Sequence, residues 1–329
     1  MTSTAASASP AAPHGDSLPV PRRVAFLGPL GTFTEEALLT QPDLAAAELV
    51  PMPSMLDVLH AVHNGEADVG FAAIENALEG SVSVTADTLA FDVDLLIERE
   101  VVLPVRMQLL GVPGAAVDGV REIVSIPIAA AQCRRFIHDR LGGSVRFRDV
   151  DSTAEAARVA AEAGDPTVAA VANSLAATKY GLAILATNIE DHPDNATRFL
   201  ALRRNLVPAP SGHDKTTLVV FQHADRPGSL LAILQEFAAR SINLTWLESR
   251  PTKRGLGDYC FLLDFEGHIE DEVVGDCLRS LKAEQADVKF LGSYPAFGDG
   301  GAAVRADVTA SFRQADEWLA GLRTNIVGR

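Results

Sequence analysis

The 329-residue sequence is poor in several things, and each shortage removes a class of function. It has three cysteines, Cys133, Cys260 and Cys277, far apart and with no CxxC pair. An odd, scattered set argues against a disulfide framework or a cysteine zinc site and reads as reduced thiols of a cytoplasmic protein. Basic residues are scarce: 28 Lys+Arg stand against 43 Asp+Glu, a net charge of −15. A nucleic-acid binder needs clustered positive charge to displace counterions from phosphates, so no nucleic-acid partner is expected. The same deficit argues against an anionic membrane surface. No apolar run reaches the roughly 18 residues of a membrane span, so no membrane partner is expected either. His60 and His63 lack an HExxH frame, so metal is expected at none of these residues. Neither GxGxxG nor a P-loop occurs, which leaves no nucleotide to expect. Residues 1–21 hold no Lys or Arg and no apolar h-region, unlike a secretory signal. Rich in Ala, Ser and Pro, they read as a disordered leader.

What remains is ordinary globular material, 47% apolar and 22% charged, enough for about two domains. From Arg22 to Leu206 strand-like and helix-like segments alternate, the α/β pattern. Examples are the strand 68–74, the helix 153–163, and the strand 167–172 followed by the helix 174–180. A Pro/Gly/Ser stretch at 207–214 is the best linker. Beyond it, residues 215–297 read β-α-β-β-α-β, the α+β ferredoxin-like order. The tail, 298–329, is Gly-rich and then offers Val308, Phe312, Ala315, Leu319 and Leu322 at the spacing of an amphipathic helix.

Three segments could carry chemistry. In Gly28-Pro29-Leu30-Gly31-Thr32-Phe33-Thr34-Glu35, a strand meets a glycine turn and a Thr-x-x-Glu capping box. Such a helix start presents free N–H groups that suit a carboxylate or phosphate, although an ordinary capped turn has the same spacing. In Ile74-Glu75-Asn76-Ala77-Leu78-Glu79-Gly80-Ser81-Val82, polar residues follow the carboxyl end of a strand, where open α/β sheets bind ligands. Asn76 and Ser81 could hydrogen-bond a substrate, and Glu75 is an acid–base candidate or a solvated loop carboxylate. In Asn195-Ala196-Thr197-Arg198-Phe199, a polar loop enters a strand. Arg198 offers a planar fork for a substrate carboxylate or a structural ion pair with a nearby aspartate, and spacing leaves both open.

Together, in this order and ahead of a βαββαβ module, the three segments resemble the prephenate dehydratase family in its monofunctional form with a C-terminal ACT regulatory domain. Matching stretches run from about Val24 to Tyr294. Glu248-Ser249-Arg250-Pro251 matches the family's ESRP motif in full, and Pro227-Gly228-Ser229-Leu230-Leu231 stands where the family has a GALV-like motif. One segment departs from the family's pattern: Ser125, Pro127, Gln132 and Cys133 are kept, while Ile126 and Ile128 replace a His and a Gln.

The resemblance implies a bilobed catalytic region over 22–206, like a type II periplasmic binding protein, with a second lobe of about 104–182. It implies decarboxylative dehydration of prephenate to phenylpyruvate, without a cofactor. It assigns catalysis to Thr197, Arg198, Asn76, Ser81 and Gln132, and substrate contact to Thr32, Phe33, Thr34, Glu75, Ser125 and Phe199. L-phenylalanine as feedback effector would meet Pro227, Gly228, Ser229, Leu230, Asn243, Leu244 and the Glu248–Pro251 motif, between ACT domains of a dimer or a dimer of dimers. Arogenate as substrate and a non-catalytic amino-acid sensor or solute-binding protein are the alternatives. Residues 22–206 carry 15 basic and 25 acidic side chains. A dianion is therefore not steered by net charge, and attraction must be local.

Overall fold

A computed structural model describes residues 18–142, 145–222, 227–253, 255, 258–284, 287–298, 314 and 317–324. The first lobe is a sheet built on β1 (Arg23–Leu27), β2 (Glu48–Met52) and β3 (Val69–Asn76), with the two-residue β4 (Gly80–Ser81) beside β3. β5 (Leu96–Pro104) then carries the chain out to the second lobe. That lobe holds β6 (Gln108–Gly111), β7 (Glu122–Ser125), β8 (Arg146–Asp149), β9 (Val168–Ala172) and β10 (Ala183–Ala186), in the order β10-β6-β9-β7-β8. The return strand β11 (Ala196–Arg203) inserts antiparallel between β3 and β5, completing the order β2-β1-β3-β11-β5. Two α/β lobes joined by two crossings give the bilobed, type II periplasmic-binding-protein-like fold.

The second crossing differs from the expected one near Leu182. β10 pairs with β6, so the second lobe extends through Ala186 and the chain returns over 187–195. The helix Ser174–Tyr180 does stop there, at Gly181 in the left-handed conformation, but the chain runs on into β10 before it leaves the lobe. That helix and Thr153–Ala163 keep their expected bounds. Apolar spacing and end signals coincide in both, with Ser152 and Asn173 as side-chain caps.

The third unit has β12 (Asp214–Phe221), β13 (Leu244–Pro251), β14 (Tyr259–Glu266) and β15 (Asp287–Pro295) in the antiparallel order β13-β14-β12-β15. Strand alternation gives this sheet two apolar faces. Leu218, Val220, Phe261, Leu263 and Phe265 meet the helices Ser229–Ala238 and Glu272–Glu284, whereas Val219, Cys260, Leu262, Leu291 and Tyr294 share a core with the first lobe. Gly292 marks the closest approach: a Cβ there would lie 2.7 Å from the Ile97 carbonyl oxygen of β5, at φ +139. Only glycine fits that contact.

The ends correct two expectations in part. Residues 1–17 lie outside the described residues, but Pro19, also assigned to the leader, accepts a hydrogen bond from Arg203 at 2.9 Å. The linker is tied down as well, with His268 Nε2 3.0 Å from the Pro208 carbonyl oxygen. Val308, Phe312 and Ala315 lie outside the described residues, while Leu319 and Leu322 sit on a helical stretch, 317–323, and are exposed. No helix among the described residues is long and apolar enough to cross a membrane.

Candidate active site

The cleft between the lobes is assembled from strand ends. β3 ends at Asn76 and β11 begins one residue before Thr197, and the antiparallel register sets the two opposite each other. Asn76 closes a tight turn: its Oδ1 accepts from the Leu78 and Glu79 amides at 3.0 Å each. Its amide nitrogen therefore faces inward and donates to Thr197 Oγ1 (2.9 Å), Asn195 Oδ1 (3.0 Å) and the Ala196 carbonyl (3.2 Å). Asn195 passes the chain to the second lobe by donating to Gln132 Oε1 at 3.2 Å, and Gln132 donates back to Glu79 at 3.0 Å. Thr197, Asn76, Asn195 and Gln132 form one relay of uncharged groups. The Thr197 hydroxyl accepts within it, and its own proton has no acceptor among the described residues.

The opposite rim holds the first motif. Thr32 caps the helix Phe33–Leu39, its Oγ1 accepting from the Glu35 amide at 3.3 Å. The expected box is only half formed, because the Glu35 carboxylate turns to the Gly31 amide and to Lys179 of the second lobe (3.1 Å). Tyr180 donates to the Leu30 carbonyl at 3.1 Å and Asn173 to Glu36 at 2.9 Å, so this rim is latched to the second lobe at three points. Burial raises the Glu36 carboxyl above its ordinary value even though Asn173 and Ser174 hydrogen-bond to it. Phe33 packs on the second lobe's core and Thr34 is buried. Ser125 ends β7 as a buried hydroxyl without a hydrogen-bond partner among the described residues.

Four expected residues stand elsewhere. Arg198 follows Thr197 on a strand, so its side chain leaves by the opposite face. Its guanidinium is nine-tenths buried between the first lobe and the third unit. There Nε donates to Glu100, Nη2 donates to the Tyr294 hydroxyl at 2.9 Å, and Nη1 lies 2.5 Å from Asp264. Burial alone would lower its pKa, and the acidic groups around it hold it well above the ordinary arginine value. The fork is thus an interdomain ion pair and not a substrate clamp. Glu75 pairs with Arg198 across the sheet and shares that face, with Arg198 Nη1 4.0 Å away, so it does not join the relay. Ser81 stands opposite Glu75 on β4 and makes no side-chain bond to the relay among the described residues. Phe199 is core, stacked on Phe71 at 5.3 Å between centroids.

The effector residues divide in the same way. A pocket of about 430 Å³ in the third unit is lined by Gly228, Ser229, Leu230 and Ser249, four of the residues named for the effector, together with Leu234, Tyr259 and Phe261. Gly228, at φ +89, precedes the helix Ser229–Ala238 without capping it by a side chain. Pro227 lies in the preceding turn and does not line the pocket. Burial alternates along β13, and Trp246, Glu248 and Arg250 share the face toward the first lobe. Arg250 donates to Asp87 at 2.7 Å and to Ser83 at 3.1 Å, so it bridges domains instead of lining the pocket. Asn243 donates to Glu266, Leu244 packs under the helices, and Pro251 pairs with Tyr259 at the strand end.

No group of three or more His, Cys, Asp or Glu among the described residues could hold a metal. All three cysteines are buried and free; burial pushes the Cys133 and Cys277 thiols up to about 12 and Cys260 to about 11.

With this geometry in view, comparison with known proteins is direct. The prephenate dehydratase family model matches residues 24–206 and the ACT domain model matches 216–283. Prephenate dehydratase of Mycolicibacterium vanbaalenii is 42% identical, over 91% of this chain and 98% of that protein. The prephenate dehydratase of Mycobacterium tuberculosis is 39% identical, over 92% and 94%. Among solved structures, the prephenate dehydratase of Arthrobacter aurescens in complex with L-Phe has a TM-score of 0.81 at 37% identity, over 92% of this chain and 100% of that one. A protein described as GqqA, a novel type of quorum quenching acylase, has a TM-score of 0.76 at 33% identity, over 84% and 98%.

Proposed function

This chain belongs to the prephenate dehydratase family, with an ACT domain after the catalytic region, and we propose that Thr197 delivers the proton on which its reaction depends. Activity of the family is a hydro-lyase reaction: prephenate loses carbon dioxide and water to give phenylpyruvate. The ring carboxylate departs as carbon dioxide, and the electron pair of the broken C–C bond moves through the ring. That pair expels the ring hydroxyl, which takes up a proton and leaves as water. Aromatisation drives the sequence, and the enzyme's tasks are to donate to the leaving oxygen and to leave the departing carboxylate unsolvated.

The observation that carries the reading is the uncommitted proton of Thr197. Its oxygen is fixed by Asn76, so the hydroxyl is oriented before substrate arrives. A threonine is a weak acid, and the neutral relay through Asn195 and Gln132 keeps its position without placing a base beside it. The acylase chemistry named for GqqA would need an activated nucleophile. An amide as the one side-chain hydrogen-bond partner of Thr197 among the described residues favours donation. Ser125, buried and unpartnered among the described residues, supports a further hydrogen bond to substrate at the second lobe, and Thr32 caps the helix start at the facing rim. Arg198 and Glu75 are left out of this reading. The hydroxyl, amide and backbone N–H donors of the relay and the facing rim are the groups proposed to bind the dianion.

At the ACT pocket, L-phenylalanine is the proposed effector, as the L-Phe complex of the Arthrobacter relative supports. The positive dipole end at the start of the helix Ser229–Ala238 suits its carboxylate. Leu230, Leu234 and Phe261 suit its ring. The edge strand β13 and the exposed Leu231 and Leu247 support self-association through this domain. The test is phenylpyruvate formation from prephenate and from arogenate, with and without L-phenylalanine. Turnover of prephenate that phenylalanine suppresses is expected. Binding of phenylalanine without turnover of either substrate would restore the sensor reading.

A further inference from the structure

The first lobe and the ACT domain meet at a buried polar cluster that the chemistry in the cleft does not use. Its centre is Arg198, one residue from Thr197 on β11. Around it stand Glu100 of the first lobe and Asp264 and Tyr294 of the ACT domain. The Tyr294 hydroxyl lies 2.9 Å from Arg198 Nη2 and 2.7 Å from Thr217 Oγ1, and Thr217 donates in turn to Asp264 Oδ1 at 2.7 Å. Lys215 donates to Glu100 at 2.9 Å from the ACT side. Two ACT side chains, Asp264 and Tyr294, thus hold Arg198 on the far face of the strand that carries the proposed catalytic hydroxyl, with Thr217 behind them and Lys215 on Glu100 of the neighbouring β5.

The same cluster reaches the effector pocket. Tyr259 and Phe261 line that pocket from β14, and Asp264 stands three residues further along the same strand on its opposite face. A ligand that displaces β14 would carry Asp264 with it against Arg198. Asp264 Oδ2 lies 2.5 Å from Arg198 Nη1, yet it is buried and has no hydrogen bond of good geometry among the described residues. Buried ion pairs of this kind are strongly favoured only when geometry is right, so a small shift changes their energy steeply.

We propose that the Arg198–Asp264–Tyr294 cluster is the coupling element by which ligand in the ACT pocket alters the position of Thr197, with Asp264 and Tyr294 acting as positioning residues through Arg198. This rests on the reading of the pocket as a phenylalanine site and of Thr197 as the donor. Allosteric coupling needs a differential contact between two states, and this cluster is where β11 meets β14 and β15 of the ACT domain.

The test is Tyr294→Phe in the full chain, which removes two hydrogen bonds and no charge. L-phenylalanine affinity is read by calorimetry, and kcat and KM for prephenate are read without and with saturating L-phenylalanine. The expected result is affinity within about twofold of wild type, basal kcat/KM within about threefold, and an inhibition ratio reduced about fivefold or to near one, the low end of usual coupling. Wild-type inhibition in the variant would overturn the proposal, as would inhibition lost in step with affinity. Thr217→Val, nearly isosteric, removes the hydrogen bonds to Tyr294 and Asp264 without removing a charge, carries the same expectations and replaces it if Tyr294→Phe does not fold. A wild type that does not respond to phenylalanine would overturn the effector reading and this proposal with it. A wild type that responds alongside an unaltered variant overturns this proposal alone.

Discussion

The two faces of β11 put neighbouring residues of one motif into opposite kinds of chemistry. Thr197 joins a relay of amides and hydroxyls at the mouth of a cleft, whereas Arg198 is sealed among two carboxylates and a tyrosine at a domain seam. The neutral face keeps a proton available at a fixed place. The charged face binds two domains and tolerates no vacancy, because removing one ion leaves the others buried and unpaired. A run of signature residues is therefore not one site. A strand splits it in two.

The comparison breaks most visibly at Thr197. Thr197→Ala should lower phenylpyruvate formation by about 10²–10⁴, the usual worth of a positioned proton donor, while Thr197→Ser keeps most of the rate. Arg198→Met should act on the other face: removing a buried partner costs about 3–5 kcal/mol, read as a lower denaturant midpoint. Gly292→Ala sharpens the same seam with a smaller effect, since the new Cβ meets the Ile97 backbone; overpacking of about 1–3 kcal/mol is expected from urea unfolding.

Acid should weaken the seam more gently. Burial alone would raise the Glu100 carboxyl, but Arg198 and Lys215 hold it below its ordinary 4.5. A carboxyl depressed in the folded state contributes stability above its unfolded value and loses it as pH falls through the folded one. The unfolding midpoint should therefore drop below about pH 4.5, and this acid loss should shrink in Glu100→Gln. A variant with the wild-type acid slope would remove Glu100 from the explanation. Smallest is the cysteine response: neutral buried thiols should resist alkylation at pH 7 until denaturant is added.

Much of this was legible in the sequence. The β-α-β-β-α-β order and the helices 153–163 and 174–180 follow from periodicity and caps, which are local. Resemblance placed Asn76, Thr197 and Gln132 in one site, and a single relay of hydrogen bonds connects them. What failed was facing. Period-two alternation already forbade Thr197 and Arg198 from serving the same pocket, yet nothing in the chain said which face the cleft would take. Glu248 and Arg250 were misplaced for the same reason, since only the packing of β13 on the first lobe decides that Ser249 is the pocket residue. Asn195 was missed although it stands in the same segment as Thr197; a buried asparagine before a strand is a usable signal. Asp264 and Tyr294 had none, because their partner lies on a distant strand.

The most direct measurement compares rate and stability on one preparation of Thr197→Ala: kcat at saturating prephenate beside the thermal midpoint. The expected result is a rate at least about a hundredfold lower with the midpoint within about 2 °C of wild type, because Thr197 makes no ion pair among the described residues and its loss strands no charge. A variant that turns prephenate over at close to the wild-type rate would contradict the division of labour across β11.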